Sequence, residues 1–501
     1  MTDTTDSTTI KKLPGWACGL IVLLVAGIVA LVGLMATSIV ERRWEAQQPI
    51  LVSQTIDQFE SDNSVWGADY PREFDAYKKM TVDDTRTKYG GGFPRDYLDA
   101  DPRQVILFAG YGFSKDFLQA RGHIYAVDDI NKTKRVKHPT AEKPDVYYPG
   151  TCWTCKSPDV PRMMGKFGKE ADPKETDPIK LIGLGAKKFY GTNWHELKKD
   201  VKHPIGCLDC HDPKTMKLRI SRPALREGFE AMGKDIDKVS HQEMRSLVCA
   251  QCHVEYYFKT DKDAGKKHYL TFPWNKGTSV EGMIEYYDNA GVKDYVHPIS
   301  KVEVIKCQHP DWEMYKTGVH HYRKVSCADC HMPYRSQGGM KYTDHHVQSP
   351  LLNIENSCAV CHRWSEAELK SRVETIQTKV ANARIKAEDA LVAAHFDVAA
   401  AMEAKATDTE LAPIRKLIRH AQFRWDYVAA NNGMGFHSPQ EAMRILGDSI
   451  NDAQTARIHL ARLIGSKGVT APPKHPDVSD REKAMATAKS FQAGTPPKLL
   501  P

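Results

Sequence analysis

The sequence predicts a mainly α-helical protein with little β-structure. Residues 61–365 are rich in Gly, Pro and turn dipeptides and show no long alternation of apolar and polar residues, which disfavours a sheet of any size. After residue 365 the apolar residues recur at a spacing close to a heptad, which is typical of long helices. Five Cys-x-x-Cys pairs lie in the first region, so its core is expected to depend on what those cysteines bind.

Length and charge narrow the classes of function. The chain has 501 residues, of which 41% are hydrophobic and 27% charged, an ordinary globular balance. The net charge of +7 is small for this length, and the basic residues are scattered rather than clustered. A nucleic-acid partner is therefore not expected, whereas an anionic substrate guided by a few local positive groups remains open.

A long apolar run follows a polar head at the N-terminus. Residues 17–40 read ACGLIVLLVAGIVALVGLMATSIV and have two basic residues close to each end. A cleaved signal has an apolar core of about 7 to 15 residues, so this longer run favours an uncleaved signal anchor, with cleavage as the alternative. Residues 1–40 are therefore assigned to a cytoplasmic head and a membrane anchor or signal.

Ten of the twelve cysteines form five Cys-x-x-Cys pairs, and histidine follows four of them. The pairs are Cys152 and Cys155, Cys207 and Cys210, Cys249 and Cys252, Cys327 and Cys330, and Cys358 and Cys361. Zinc sites or disulfides would explain the pairs but not the histidine. With 21 histidines in 501 residues, its occurrence after four of five pairs by chance has a probability on the order of 10⁻⁵.

Covalent haem explains both features. Two cysteines separated by two residues place both sulfurs under one porphyrin edge, and the next residue reaches the iron as the proximal ligand. The predicted proximal ligands are His211, His253, His331 and His362. Because haem is attached to such motifs on the outer side of the membrane, the body of the protein is expected to be extracytoplasmic.

The first pair differs from the others because Lys156 follows it. A lysine amine ligates iron once it is deprotonated, and the charge of the metal supports that form. The alternative is a degenerate motif that has lost its haem or holds it through a distal histidine. Four proximal histidines leave 17 others, enough for distal ligands to four electron-transfer haems. The haem at Lys156 is therefore the candidate for a vacant, substrate-binding face.

The chain carries one CxxCK motif followed by four CxxCH motifs. In this order of motifs it resembles the pentahaem cytochrome c nitrite reductases, the ammonia-forming cytochrome c-552 family. Three further stretches carry the resemblance: RGHIYAVDDINKTKR at 121, CAQCHVEYYF at 249 and KCQHPDWEMYKTGVHH at 306. It runs from about residue 60 to about residue 445. It implies five covalent haems c in residues 41–365, a haem-filled core wrapped by short helices and loops, and long C-terminal helices.

The resemblance also implies an active site at the open face of the Lys156 haem. Arg135, Tyr256 and His309 would surround it. Arginine offers a fixed positive fork to an anion such as nitrite, and histidine and tyrosine donate protons or hydrogen bonds as N–O bonds break. Taken alone, Tyr256 reads equally well as a core aromatic residue and Arg135 as a surface charge.

A calcium ion beside the active haem is implied in the same way. Its ligands would be the side chains of Glu255 and Gln308 and the backbone carbonyls of Tyr256 and Lys306. Hard oxygen ligands of this kind suit calcium better than a transition metal. Cys307 belongs to no Cys-x-x-Cys pair and is interpreted as a buried bystander.

Distal ligands follow from the resemblance as well. The implied pairs are His123 with His253, His320 with His362, His345 with His211, and His437 with His331. Two of these assignments could slip by one position, because His321 and His346 stand next to His320 and His345.

The C-terminal part is predicted to be helical. Ser365 and Glu368 form a capping-box pattern ahead of a long helix, a second helix is predicted from about Glu410 to Ala430, and Ser438 with Pro439 opens a third. Such helices commonly pack within one chain, but the resemblance implies a homodimer contact over residues 366–466. Residues 467–501 are interpreted as a Pro-rich, extended tail.

The resulting hypothesis is a periplasmic, membrane-attached enzyme that reduces nitrite to ammonium with six electrons. The family implies a membrane quinol-oxidising multihaem cytochrome as donor, with hydroxylamine and possible sulfite reduction as side activities. One alternative is a multihaem electron carrier without a substrate of its own. An enzyme of the hydroxylamine-oxidising type is a poorer match, since that family depends on additional haems and a tyrosine cross-link.

Overall fold

The structure, a computed structural model, describes residues 13–45, 55–82, 84–136 and 146–501. Within these residues it is 56% helical with little strand, as the sequence predicts. The helices are α1 Gly15–Glu45, α2 Asn63–Asp69, α3 Pro71–Lys78, α4 Tyr97–Ala100, α5 Arg103–Leu107, α6 Ala126–Lys132, α7 Asp159–Ala171, α8 Pro178–Gly191, α9 Trp194–Leu197, α10 Cys207–Cys210, α11 Pro223–Ala231, α12 His241–Ala250, α13 Val280–Asn289, α14 Asp311–Lys316, α15 Val319–Tyr322, α16 Cys327–His331, α17 Glu366–Glu403, α18 Asp408–Ala429, α19 Pro439–Ser466 and α20 Arg481–Gln492. Single 3₁₀ turns are Lys79–Thr81, Gly112–Ser114, His123–Tyr125, Gly150–Trp153, Ile236–Lys238, Pro350–Leu352 and Cys358–Val360.

Strands occur only as three antiparallel hairpins in the described residues. They are β1 Tyr257–Asp261 with β2 Lys266–Thr271, β3 Tyr295–Val296 with β4 Glu303–Val304, and β5 Tyr334–Gln337 with β6 Met340–Thr343. In the last hairpin Tyr334 is opposite Thr343, and Gly338 and Gly339 both have positive φ. Two such residues form the tight turn that matches the twist of paired strands.

The described chain divides into two units. The smaller contains α1 and the β5–β6 hairpin. Over Gly15–Glu41, α1 has a mean hydropathy of 2.9 and exposed apolar side chains, so by length and composition it is able to cross a membrane. A signal sequence has the same properties.

The larger unit contains residues 53–333 and 344–501 and the main hydrophobic core. Its three long helices, α17, α18 and α19, begin at or within two residues of their predicted starts. Ser365 accepts a hydrogen bond from the backbone of Glu368, which caps its backbone in return. A second such box, Thr407 with Glu410, starts α18 two residues before the predicted position.

The C-terminal tail differs from the prediction of an extended segment, because it contains α20. Asp480 accepts a hydrogen bond from the backbone N–H of Lys483 and caps this helix, while Ala484 and Ala488 on one face are buried. The backbone N–H of Leu499 donates to Glu403 at the end of α17. The prolines lie on either side of α20, and local packing therefore overrides the compositional signal.

Candidate functional site

The five Cys-x-x-Cys pairs lie on short helical turns or at a helix end. The second pair spans α10, and the fourth begins α16. In the other three pairs only the first cysteine lies within the element, Cys249 at the end of α12 and Cys152 and Cys358 in the 3₁₀ turns Gly150–Trp153 and Cys358–Val360, and the second cysteine follows it. Residues three positions apart on a helical turn face the same side, so each pair directs its two thiols together. All twelve cysteines lie in the described residues, and all are free.

Each of the four predicted proximal histidines faces the predicted distal histidine across a gap. The ring centroids lie 6.4 Å apart for His123 and His253, 6.2 Å for His211 and His345, 6.3 Å for His320 and His362, and 6.4 Å for His331 and His437. A metal between two imidazoles needs about 2 Å to each nitrogen. When the distance from each ring centre to its nitrogen is added on both sides, the expected separation of the ring centroids is close to the one observed.

The neighbouring histidines have other surroundings. His321 packs edge-on against the ring of Tyr315 at 5.3 Å, and it is His320 that faces His362.

His437 lies in the turn between α18 and α19. A Cβ atom on Gly318 would come within 1.9 Å of the His437 carbonyl oxygen, so this close approach of the two segments requires glycine.

The second ring nitrogen orients three of the four proximal histidines. Nδ1 of His211 donates to the Met216 carbonyl at 2.9 Å, and Nδ1 of His331 donates to the Gln348 carbonyl at 3.0 Å. Nδ1 of His253 instead donates to a carboxylate, Oδ2 of Asp311, also at 3.0 Å. Such partners fix both the tautomer and the direction of a metal-ligating ring.

Two of the residues predicted for the active site, His309 and Tyr256, lie within electrostatic range of the Lys156 motif. Burial and then the charge of Lys156 lower the pKa of His309 to about 3. Nδ1 of His309 is buried and has no hydrogen-bond partner among the described residues. Burial, followed by Cys155 and Cys152, raises the pKa of Tyr256 well above its ordinary value. Tyr256 and His309 thus both lie within electrostatic range of this motif.

Arg135 is held in place by contacts with Phe113 and Asp116. Nη1 donates to the Asp116 carbonyl at 2.9 Å, and the guanidinium lies 4.3 Å above the ring of Phe113. Burial lowers the Arg135 pKa, whereas the nearby charges of Asp116, Tyr148 and Tyr256 act in the opposite direction. A partly exposed, fixed cation therefore lies within electrostatic range of Tyr256.

The predicted calcium ligands lie together around Glu255. This carboxylate is fully buried and accepts hydrogen bonds from the Tyr287 hydroxyl at 2.7 Å, from the Gln308 backbone at 2.5 Å and from the Cys307 thiol at 3.1 Å. The Gln308 side chain reaches the Lys306 carbonyl at 2.9 Å. Cys307 is buried, as predicted from its position outside the pairs.

A second carboxylate lies next to this set. Oε1 of Glu313 accepts the backbone N–H of Glu255 at 2.9 Å, and its Oε2 is buried without a partner among the described residues. Burial raises the pKa of both Glu255 and Glu313 to about 8. Two desolvated carboxylates beside amide and carbonyl oxygens suit a hard cation, so the residues present fit calcium.

Residues 62–494 match the family described as cytochrome c552. The chain belongs to the cytochrome c552 family. This confirms the family predicted from the motifs, and the match continues past residue 445, where the predicted resemblance ends. The residues present also fit the haem of a c-type cytochrome, since the thiols are free and the facing imidazoles leave room between them.

Several proteins are similar to this cytochrome c552 over most of their length. Cytochrome c-552 of Bacteroides fragilis is 46% identical over 476 residues, which cover 95% of this chain and 92% of the relative. That of Porphyromonas gingivalis is 44% identical, with coverage of 95% and 91%. A solved structure of cytochrome c nitrite reductase from Desulfovibrio desulfuricans, described with two calcium sites in its catalytic subunit, has a TM-score of 0.74 and 33% identity, covering 82% of this chain and 88% of that chain. This likeness confirms the multihaem cytochrome fold.

Sequence reasoning missed three polar residues that contact this cytochrome's haem motifs or its candidate calcium ligands. They are Asp311, Glu313 and Arg222. Asp311 and Glu313 follow His309 closely in QHPDWE, so acidic residues beside a candidate site were the available signal. Arg222 carries no local signal, because the carbonyls of Thr154 and Ser157 that it contacts lie 68 and 65 positions away in sequence, and Asp209 lies 13 positions away.

Proposed function

We propose that this chain reduces nitrite to ammonium at a haem ligated by Lys156 and fed by four bis-histidine haems. The observation that carries the proposal is the division among the motifs. Four motifs have facing imidazoles at 6.2 to 6.4 Å. The Lys156 motif instead has His309 and Tyr256 within electrostatic range, and Arg135 lies within electrostatic range of Tyr256. The His309 ring also lies 6.5 Å from that of His253, whose proposed distal partner is His123.

The protein's own groups suit this reaction. When bound, the haem at Lys156 supplies iron that takes up nitrite and delivers electrons to it. Arg135 attracts and orients the anion through guanidinium donors, and its contact with the Asp116 carbonyl keeps it in place. His309 and Tyr256 hold protons beside the substrate, which nitrite needs as its oxygens leave as water.

The surroundings of the site complete the proposal. One calcium ion bound by Glu255, Gln308 and the carbonyls of Tyr256 and Lys306 would neutralise the buried carboxylates and hold the His309 segment. The chain would work in the periplasm, attached through α1, as a homodimer through α17 and its neighbours. A membrane quinol-oxidising multihaem cytochrome would supply electrons, and hydroxylamine and sulfite would be side substrates.

The test is the ratio of ammonium formed to nitrite consumed by the purified, haem-loaded protein with a low-potential reduced dye as donor. A ratio near one without release of nitric oxide supports the proposal. Consumption of nitrite without ammonium would assign a different product. An absence of consumption, together with low-spin iron at all five haems, would identify an electron carrier instead.

A further inference from the structure

One buried arginine joins the Lys156 motif to the rest of the site. Arg222 immediately precedes α11, and its side chain is 2% exposed. Its Nε donates to the Thr154 carbonyl at 2.8 Å, and its Nη2 donates to the Ser157 carbonyl at 3.0 Å. These carbonyls lie on either side of Cys155 and Lys156, so a single rigid guanidinium holds the backbone before and after the ligand.

The same arginine contacts the second haem motif. Its Nη2 donates to Oδ1 of Asp209 at 2.5 Å, and Oδ2 of Asp209 accepts the backbone N–H of Gly206 at 2.8 Å. Asp209 stands between Cys207 and Cys210 and is buried. Since a buried charge is costly unless it is paired, Arg222 and Asp209 each hold the other in place.

The third haem motif also contacts Arg222 and Asp209, through Gln251. Its Oε1 accepts the backbone N–H groups of Ser221 at 2.6 Å and Arg222 at 3.0 Å, and its Nε2 donates to the Asp209 carbonyl at 3.0 Å. Gln251 stands between Cys249 and Cys252. The motifs of Lys156, His211 and His253 are therefore bonded to one another through the dipeptide Ser221–Arg222.

Lysine needs this support more than histidine does. A ligating imidazole is oriented by the hydrogen bond of its second nitrogen, as in His211 and His331. The lysine side chain has a single nitrogen on a flexible four-carbon stem, so it lacks a second nitrogen whose hydrogen bond would fix the direction of the ligating one. Its aim at the metal has to come from the backbone on both sides of it.

We propose that Arg222 is a positioning residue that directs Lys156 to the haem, with Asp209 holding the guanidinium in register. The inference rests on the proposed role of Lys156 as a haem ligand and adds what keeps that ligand in place. Arginine suits this task because its planar fork donates to two carbonyls and one carboxylate at once. A lysine at this position carries the same charge but cannot reproduce that geometry.

The first test is Arg222→Lys, measured by haem content, by the ferric spectrum of the Lys156-ligated haem and by kcat and KM for nitrite. We expect five haems, unchanged low-spin signals from the bis-histidine sites, an altered signal from the Lys156 haem and a kcat reduced about 10- to 100-fold. Arg226→Lys is the matched control, because Arg226 lies on α11 and pairs with Asp237 near the surface at 2.8 Å. An unchanged Lys156-haem spectrum and kcat in Arg222→Lys would overturn the proposal.

Asp209→Asn covers the case in which Arg222→Lys fails to assemble. This variant keeps an oxygen for Arg222 but removes the charge that pairs with the guanidinium. Because Asp209 belongs to the motif of His211, a purely local effect would alter only low-spin signals. We expect it to alter the spectrum of the Lys156 haem, and a change confined to the low-spin haems would overturn the inference. Lys156→Ala identifies that spectrum in the parent. If Lys156→Ala leaves every haem signal unchanged, Lys156 is not a ligand and the proposed function fails before the role of Arg222 is reached.

Discussion

Oδ2 of Asp311 lies 3.0 Å from Nδ1 of His253, whereas the corresponding nitrogens of His211 and His331 bond to neutral backbone carbonyls. Two groups hold the Asp311 carboxylate in turn, since the backbone of Asn432 donates to its Oδ1 at 2.8 Å and the Asn432 side chain to its Oδ2 at 2.7 Å. A carboxylate partner makes the ring a stronger electron donor to a metal than a carbonyl partner does. The haem proposed at His253 is therefore expected to have the lowest potential of the haems proposed at these three histidines.

Asp311→Asn should raise the potential of the His253 haem while keeping a hydrogen bond to the ring. We expect a shift on the order of the 59 mV that corresponds to a tenfold change in a one-electron equilibrium. A spectroelectrochemical titration of the purified protein measures it. Asn432→Ala is the control, because it removes a neighbour of the carboxylate but leaves its charge. Equal titration curves for Asp311→Asn and the parent would contradict the assignment.

His309→Asn should reduce kcat for nitrite about 10²- to 10⁴-fold, because a positioned proton donor contributes roughly that factor. Haem content and the low-spin spectrum should stay at parent values, since the proposed distal ligand at His253 is His123 and not His309, although the His309 ring lies 6.5 Å from that of His253. His241→Asn, at an exposed position on α12, serves as the control. Parent turnover in His309→Asn would exclude the proposed role in proton supply.

Arg135→Gln should raise KM for nitrite about 10- to 100-fold, since a hydrogen bond to a charged group contributes about 1.5 to 3 kcal/mol. The substitution should also weaken the response of KM to ionic strength, because a positive charge no longer attracts the anion. Steady-state kinetics at two salt concentrations measure both quantities. The adjacent exposed Lys134→Gln tests whether any nearby positive charge would serve; an equal rise in KM there would argue against a specific role for Arg135.

Calcium should stabilise the protein through Glu255. At a free concentration about 100 times the dissociation constant, a ligand bound only by the folded state adds about 2.7 kcal/mol to the free energy of unfolding. Thermal unfolding with calcium and with a chelator should therefore differ in the parent. The difference should be much smaller in Glu255→Gln, which removes the charge, and unchanged in the surface variant Glu303→Gln. A full calcium response in Glu255→Gln would move the site elsewhere.

Two buried histidines outside the haem motifs should make stability depend on pH. The rings of His297 and His395 stack at 3.9 Å and are fully buried, and burial lowers the pKa of His395 to about 4 and that of His297 well below its ordinary value. Their Nε2 atoms donate to the Ile106 carbonyl and to Oε1 of Gln422, both at 2.8 Å. The folded state therefore holds both rings neutral.

The sign of the effect follows from proton uptake. An unfolded histidine has a pKa of about 6.5, so below that pH the unfolded chain binds more protons and stability falls toward pH 4. The stabilising contribution is complete above pH 6.5, and His395 alone should remove about 2 kcal/mol by pH 5. Urea unfolding at pH 7.5 and 5 measures the loss, which should be smaller in His395→Gln than in the parent. Equal losses would show that His395 does not titrate on unfolding.

Local spacing along the chain determined much of this protein. The five Cys-x-x-Cys pairs, the residue after each pair and the capping boxes of the long helices are short-range patterns, and a helical turn or a helix start depends on neighbours within about four residues. These features were predictable without any knowledge of the fold. The family followed from their order, and the haem-ligand and active-site roles stay predictions.

Tertiary structure decided which distant groups meet. No local pattern pairs His437 with His331, and that assignment was available only through resemblance to a family. Nor does any pattern place Arg222 against Thr154 or Asp311 against His253, which are 68 and 58 positions apart. The tail helix α20 shows the same limit, because composition predicted an extended segment. Contacts between distant segments arise from packing the whole core, and the sequence near each partner is compatible with many such contacts.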